Sequence, residues 1–539
     1  MNPMNFDFQN PYSSVRLPVF ARNAVSTSHP LAAQAGLRML WKGGNAVDAA
    51  IACAAAMTIV EPVSNGLGSD AFCILWDGKE LHGLNSSGPA PASWTADYFR
   101  RKYGADAKTP PKRGFDSATV PGAVASWVAL SERFGKLPFA DLLEPAIEIA
   151  ERGYLLPIVV QQKWADATPE LGSLPGFAQS FLPWGRAPKV GELFQFKAAA
   201  RALRAIGESN GAAFYGGEIA QAVERFAAAN GGSITARDFA GFKPEWVKPI
   251  GKEYRGYTLH EIPPNGQGIA ALMALGILKN FDVAGLPVDG ADSQHLQIEA
   301  MKLAFADVYR YVSEPRTMEV TPQQMLDDGY LASRARLIDM KRAQDFGAGN
   351  PVKGGTIYLT AADENGMMVS FIQSNYMGFG SGCVEPTFGI SLQNRGHGFS
   401  LQDGPNQVAP GKRPFHTIIP AFLSKDGQPV MSFGVMGGNM QPQGHMQTVV
   451  RMLDYGQSPQ AACDAPRWRF NQGVGINAEQ QLNAETVRTL KERGHRVEVL
   501  KDSYQDFGAG QFIWRAGDPK VEGYLCASDP RRDGLVAGF

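Results

Sequence analysis

The chain carries almost no surplus charge: 51 Lys plus Arg stand against 52 Asp plus Glu in 539 residues. That balance excludes the positive field that gathers nucleic acid or an anionic membrane surface. Cysteine is scarce. The five (Cys53, Cys73, Cys383, Cys463 and Cys526) are odd in number, widely spaced and form no C-x-x-C pair. This argues against a disulfide framework or a Cys-based zinc site. Long apolar runs are also missing: the most apolar, Ala46 to Val60, is about 15 residues and carries Asp48, where a membrane span needs about 20. The N-terminal stretch shows no basic segment followed by an apolar one, so no secretory signal is expected and a cytoplasmic location is.

Several catalytic signatures are absent too. There is no G-x-x-x-x-G-K-[ST]; the nearest Gly-Lys, Gly411-Lys412, is followed by Arg413. Gly66-Leu67-Gly68 half-matches a dinucleotide fingerprint but precedes an apolar strand-like run, so it reads as a tight turn. No G-x-S-x-G, no H-E-x-x-H and no metal-ligand spacing among the eight histidines occur. No metal and no cofactor are expected.

What remains is a well-packed globule, 44% apolar and 19% charged. Gly43-Gly44 should stop one helix, and Asn45 should cap a second, with Asp48 three residues on completing a capping box. That second helix, AVDAAIACAAAMTIV, is small or apolar all round and should lie buried between layers. A strand, AFCILW, and a turn at Asp77-Gly78 follow. Residues 120–340 read as mostly helical, and 340–355 as an exposed, flexible connection. TIYLTAAD then alternates, with Ile357, Leu359 and Ala361 on one face. Asp363 to Gly366 turns the chain, and MMVSFIQS returns as a partner strand. The C-terminal third is strand-rich, and its first strand begins abruptly at Thr356.

Eight stretches occur in order: GGNAVDAAIA (43–52), EPVSNGLGSDAF (61–72), TVPGAVASW (119–127), PPNGQG (263–268), EAMKLAFAD (299–307), PGKRP (410–414), MGG (436–438) and DPRRDG (529–534). Together they resemble the gamma-glutamyltranspeptidase family of N-terminal-nucleophile hydrolases, over nearly the whole chain. The resemblance implies an α/β fold, the αββα sandwich, made as a precursor that cuts itself at Gly355–Thr356. A large subunit, 1–355, and a small subunit, 356–539, would result, with a dimer of such pairs left open. It implies Thr356 as nucleophile, Ser374 as its hydroxyl partner, and the Gly437 and Gly438 N–H groups as the oxyanion hole. The chemistry fits: a Thr hydroxyl needs an adjacent base, and a freed α-amine, with a pKa of about 7.7–8.0, provides one on the same residue.

The departures bear on substrate. Where the family holds a glutamyl α-carboxylate with Arg, this chain has Ser87; where it holds the α-amino group with an acid, it has Gly398 before Phe399-Ser400. The family's Ser-Ser pair after P-G-K-R-P has become His416-Thr417. Arg395, His416, Thr417, Asn375 and Tyr376 are the candidates for replacing those contacts. A small amide bearing a carboxylate, of the oxamate type, is the expected substrate. Gamma-glutamyl transfer and a non-catalytic, acid-binding homologue are the alternatives.

Overall fold

The computed structural model describes residues 11–13, 16–347, 355–501 and 507–539. In it the run at Thr356 forms the strand Gly355–Ala362, third of seven in a sheet with the order Leu535–Gly538, Ala24–Thr27, Gly355–Ala362, Met368–Tyr376, Asp70–Trp76, Leu81–Ser86, Glu245–Val247. A second seven-stranded sheet runs Val19–Ala21, Tyr524–Ser528, Gly510–Arg515, Gln428–Val435, Ala421–Lys425, Tyr257–Glu261, Ile250–Tyr254. Every pairing in both sheets is antiparallel.

The two sheets lie face to face over a core that includes Phe72, Ile74, Tyr358, Ile372, Phe422 and Ile513. Helices Pro30–Trp41, Ala46–Val60, Ala123–Phe134, Phe139–Arg152 and Lys197–Glu208 share a second core with the outer face of the first sheet. Ile269–Leu278, Ala291–Tyr311 and Met440–Leu453 share a third core with the other sheet. The result is the expected αββα sandwich.

The nucleophile strand shows how the layers divide its residues. A strand's side chains alternate between faces. Ile357, Leu359 and Ala361 accordingly enter the helix-side core, whereas Tyr358 and Ala362 enter the core between sheets. Helix Ala46–Val60 has the Asn45–Asp48 capping box and is buried along its whole length, as its small side chains require. The Asp48 carboxylate also accepts the Lys136 N–H at 3.1 Å, tying the helix start to the next layer.

The middle of the chain is less purely helical than its periodicity suggests. Glu245–Val247, Ile250–Tyr254 and Tyr257–Glu261 are strands, two of them joined by a tight hairpin. Arg255 and Gly256, with φ of 54° and 80°, form its turn, the left-handed pair that two-residue hairpins require. These strands are short and lie toward one edge of each sheet, so they display too few alternations to be read beside long helices. Of the expected connection at 340–355, residues 348–354 lie outside the described residues. Among the described residues, no helix is long and apolar enough to cross a membrane.

Candidate active site

Thr356 stands at an irregularity in its sheet. Gly355 pairs with Tyr376 and Ile357 with Gln373, so two residues, Ser374 and Asn375, stand opposite Thr356 alone. Such a bulge re-aims side chains. Here the Thr356 and Ser374 hydroxyls lie 3.3 Å apart, and Ser374 Oγ also accepts the Tyr376 backbone N–H at 2.8 Å. Thr356 is 3% exposed and Ser374 fully buried.

The second approach to Thr356 comes from the other sheet. Strand Gln428–Val435 runs through Gly437 and Gly438 into helix Met440–Leu453. The two glycines have φ of 119° and 60°, conformations open to a residue without a Cβ. Among the described residues neither glycine N–H has a hydrogen-bond acceptor. Both sit at the positive end of a 14-residue helix. Gln441, in its first turn, accepts the Ile419 N–H at 2.9 Å and points its amide nitrogen at Thr356 Oγ1, 3.5 Å away. Gln267 fixes the turn by donating to the carbonyls of Gly438 (2.9 Å) and Thr417 (2.6 Å). Gln267 lies within the PPNGQG stretch, whereas nothing in the sequence around Gln441 marks it as functional.

Beside the hydroxyl pair lies a buried charged group. Arg395 is 0% exposed. Its guanidinium stacks 4.1 Å from the Tyr376 ring centroid and donates from Nη1 to Thr417 Oγ1 at 2.8 Å. Its Nε and Nη2 have no partner. These two N–H groups form one edge of the guanidinium, the fork that matches a carboxylate. Burial lowers the Arg395 pKa to about 10, against the opposing pull of Asp70 and Tyr376, so it stays cationic near neutrality.

Asp70, which lies in the EPVSNGLGSDAF stretch but is not among the sequence candidates, is the acid of this group. It is the cross-strand neighbour of Ser374. Its Oδ1 accepts the Gly88 N–H at 3.2 Å and its Oδ2 meets His416 Nε2 at 3.1 Å. His416 Nδ1 accepts the Ile418 N–H at 3.4 Å, which assigns the ring proton to Nε2 and makes the imidazole the donor to Asp70. Burial, reinforced by the Arg395 charge, keeps that imidazole neutral by pushing its pKa well below the ordinary value. Burial raises Asp70 to about 7, although Arg395, the Gly88 and Gly122 N–H groups and Arg413 oppose the rise.

The remaining sequence candidates also converge here. Asn375 accepts from Ser69 Oγ at 2.8 Å and leaves its own amide nitrogen without a partner. Tyr376 takes a left-handed backbone, φ 77°, at the end of its strand and supplies the ring under Arg395. Ser87, in the place of the family's Arg, belongs to a buried network with Asn85 (2.7 Å) and Asn265 (3.2 Å).

One polar cluster elsewhere was invisible in the spacing of the histidines. His295, Glu299 and His495 come together in three dimensions, with ligand atoms within 4.8 Å of one another. Among the described residues they are the group that could hold a metal ion. Lys302 already engages Glu299 at 2.6 Å, and His295 meets His495 at 2.8 Å and the Asp339 carbonyl at 2.9 Å, so the cluster is satisfied by protein groups.

Comparison with known proteins agrees with this geometry. The family pattern described as Gamma-glutamyltranspeptidase matches residues 32–539. The glutathione hydrolase-like YwrD proenzyme of Bacillus subtilis is 37% identical over 532 residues, covering 96% of this chain and 98% of that protein. The oxamate amidohydrolase proenzyme of Klebsiella pneumoniae is 35% identical over 529 residues, covering 95% and 97%. The crystal structure of cephalosporin acylase from Bacillus halodurans superposes with a TM-score of 0.92 at 47% identity, covering 98% of both chains. The αββα sandwich is thus of the N-terminal-nucleophile-hydrolase type, whose members here are hydrolases and transferases, and the chain belongs to the gamma-glutamyltranspeptidase family.

Proposed function

We propose that the chain is a self-processing amidohydrolase whose substrate is a small amide bearing a carboxylate on its acyl part, of the oxamate type. The observation that carries the substrate class is the unpartnered Nε–Nη2 edge of the fully buried Arg395. Two donors left without acceptors in a closed site are costly; a substrate carboxylate supplies both acceptors at once. The acid of this group, Asp70, already accepts the Gly88 N–H and the His416 ring N–H and is balanced by the Arg395 charge, so it offers an ammonium group no unbalanced partner. That pairing favours an acid over an α-amino acid.

In the first step Thr356 Oγ1 attacks the Gly355 carbonyl carbon. The peptide C–N bond breaks, the nitrogen takes a proton, and Gly355 is held as an ester on Thr356. Water opens the ester, releasing residues 1–355 with a carboxylate terminus and residues 356–539 with a free α-amine. That amine then takes the proton of its own hydroxyl as the oxygen attacks the substrate carbonyl. The Gly437 and Gly438 N–H groups receive the negative oxygen, the kind of preorganised donor that contributes most to acyl transfer. Collapse expels the leaving amine, which takes the proton, and water hydrolyses the acyl-Thr ester. Ser374 orients the nucleophile, and Asn375 offers its free amide N–H to substrate.

Relatives are named for glutathione, oxamate and cephalosporin, and this chain's own buried side chains carry the choice of acyl donor. The test is a screen of matured protein against oxamate, glutaryl amides and gamma-glutamyl amides, following ammonia or amine release. Turnover of the first two classes with little of the third supports the reading. Brisk gamma-glutamyl turnover stimulated by an acceptor dipeptide would overturn it in favour of transfer; no cleavage and no turnover would favour a binding homologue.

A further inference from the structure

The charges around Arg395 imply more than an anchor. We infer that Asp70 is the internal counter-charge of Arg395, and that a substrate carboxylate binds at Arg395 together with one proton taken from solvent by Asp70. This rests on the reading of Arg395 as the carboxylate anchor.

Within this group one buried cation, Arg395, and one buried anion, Asp70, are held by adjacent residues: His416 meets Asp70 at 3.1 Å and Thr417 accepts from Arg395 at 2.8 Å, so their charges attract although no direct ion pair joins them. The other groups around Asp70 cannot change that balance. His416 is neutral and already donates to Asp70. Arg413 is paired with Glu245 at 2.6 Å. Tyr215 is a neutral phenol whose pKa burial pushes further up, and it donates to the Pro121 carbonyl at 2.9 Å.

A carboxylate on the free fork of Arg395 would make two anions share one guanidinium in a space closed to water. Like charges in such a site cannot both remain ionised at no cost, and one of them is driven to bind a proton. The incoming carboxylate takes the bidentate fork, the stronger position. Asp70 has only backbone N–H groups and a neutral imidazole as direct donors, and burial already disfavours its charge, so Asp70 takes the proton.

The sign follows from linkage. Binding raises the Asp70 pKa, so affinity for the anion is greatest where Asp70 is already protonated, below about pH 7. It then falls by about tenfold per pH unit until the pKa of the complex is passed. The ordinary expectation for a permanent Arg–carboxylate contact is no dependence in this range.

The experiment is calorimetric titration of the matured protein with glutarate near pH 6 and near pH 8, in two buffers that differ in ionisation enthalpy. We expect close to one proton taken up per glutarate near pH 8, little near pH 6, and affinity that drops with pH as above. Arg395→Gln should abolish binding in both buffers. Asp70→Asn should bind glutarate near pH 8 as tightly as the unaltered protein does near pH 6, with no proton uptake. Binding near pH 8 without proton uptake overturns the inference while leaving Arg395 as anchor. Uptake that persists in Asp70→Asn assigns the proton to the Thr356 amine and also overturns it. No binding, or binding indifferent to Arg395→Gln, removes the carboxylate anchor itself. If Asp70→Asn does not mature, the same titration of uncut Thr356→Ala, which has no free amine there, decides: uptake near pH 8 supports Asp70, and binding without uptake overturns the inference.

Discussion

The hydroxyl oxygens of Thr356 and Ser374 lie 3.3 Å apart because a sheet bulge sets Ser374 and Asn375 opposite Thr356 alone. The Tyr376 N–H fixes Ser374 Oγ from behind at 2.8 Å. Ser374→Ala should slow both chain cleavage and amide hydrolysis by roughly 10- to 100-fold, the value of one hydrogen bond to a developing charge. Ser374→Thr should recover most of the loss. A time course on denaturing gels and single-turnover hydrolysis measure the two steps separately.

Arg395 should reveal itself through substrate dependence. Arg395→Gln is expected to lower kcat/KM for a carboxylate-bearing amide by about 2–5 kcal/mol of binding, and to leave a neutral amide of the same size nearly unaffected. Arg395→Lys should restore little, since a point charge cannot present the parallel fork or stack on Tyr376. Equal losses on both amides would contradict the assignment.

Gly437 and Gly438 contribute through backbone shape. A Cβ at Gly437 would meet Gly508 Cα at 3.1 Å and Met440 Cβ at 3.2 Å, on a φ of 119°. Gly437→Ala should therefore displace an oxyanion donor and cost about 10²–10³ in turnover. Gly456, with φ 63° and nothing within 4 Å of an added Cβ, is the control: Gly456→Ala should cost about 1 kcal/mol of stability and leave turnover intact. Steady-state kinetics with thermal melts separate the two effects.

The DPRRDG stretch makes a structural prediction. Burial pushes the Asp529 carboxyl up, but Arg467 at 2.8 Å and Arg531 at 3.1 Å outweigh it and hold its pKa at about 2. An unfolded Asp titrates near about 3.9. The folded value is depressed, so the stabilisation is complete above pH of about 4 and is lost as pH falls toward about 2. Melting temperature should drop across that window, and Asp529→Asn should remove this share of the drop while lowering the melting temperature at neutral pH. An unchanged acid profile in Asp529→Asn would contradict it.

Much of the scaffold was legible because its signals are local. Asn45 and Asp48 cap the helix they precede, Ile357, Leu359 and Ala361 share one face, and Asp363 turns the chain by accepting the Asn365 N–H. Thr356, Ser374, Gly437 and Gly438 came from the family resemblance, with a strand start as the only local sign. Asp70 and Gln441 escaped notice because their meaning comes from distant partners: His416 is 346 positions from Asp70, and Thr356 is 85 from Gln441. His295 and His495 likewise meet across 200 positions. No periodicity records such pairings, which only the tertiary fold creates.

The most direct test of the account is the intact mass of the purified protein beside its Thr356→Ala variant. The unaltered protein should give two chains, residues 1–355 and 356–539, the second beginning Thr356-Ile357-Tyr358, and the variant one uncut, inactive chain. A small chain beginning at any other residue, or amide turnover by Thr356→Ala, would contradict it.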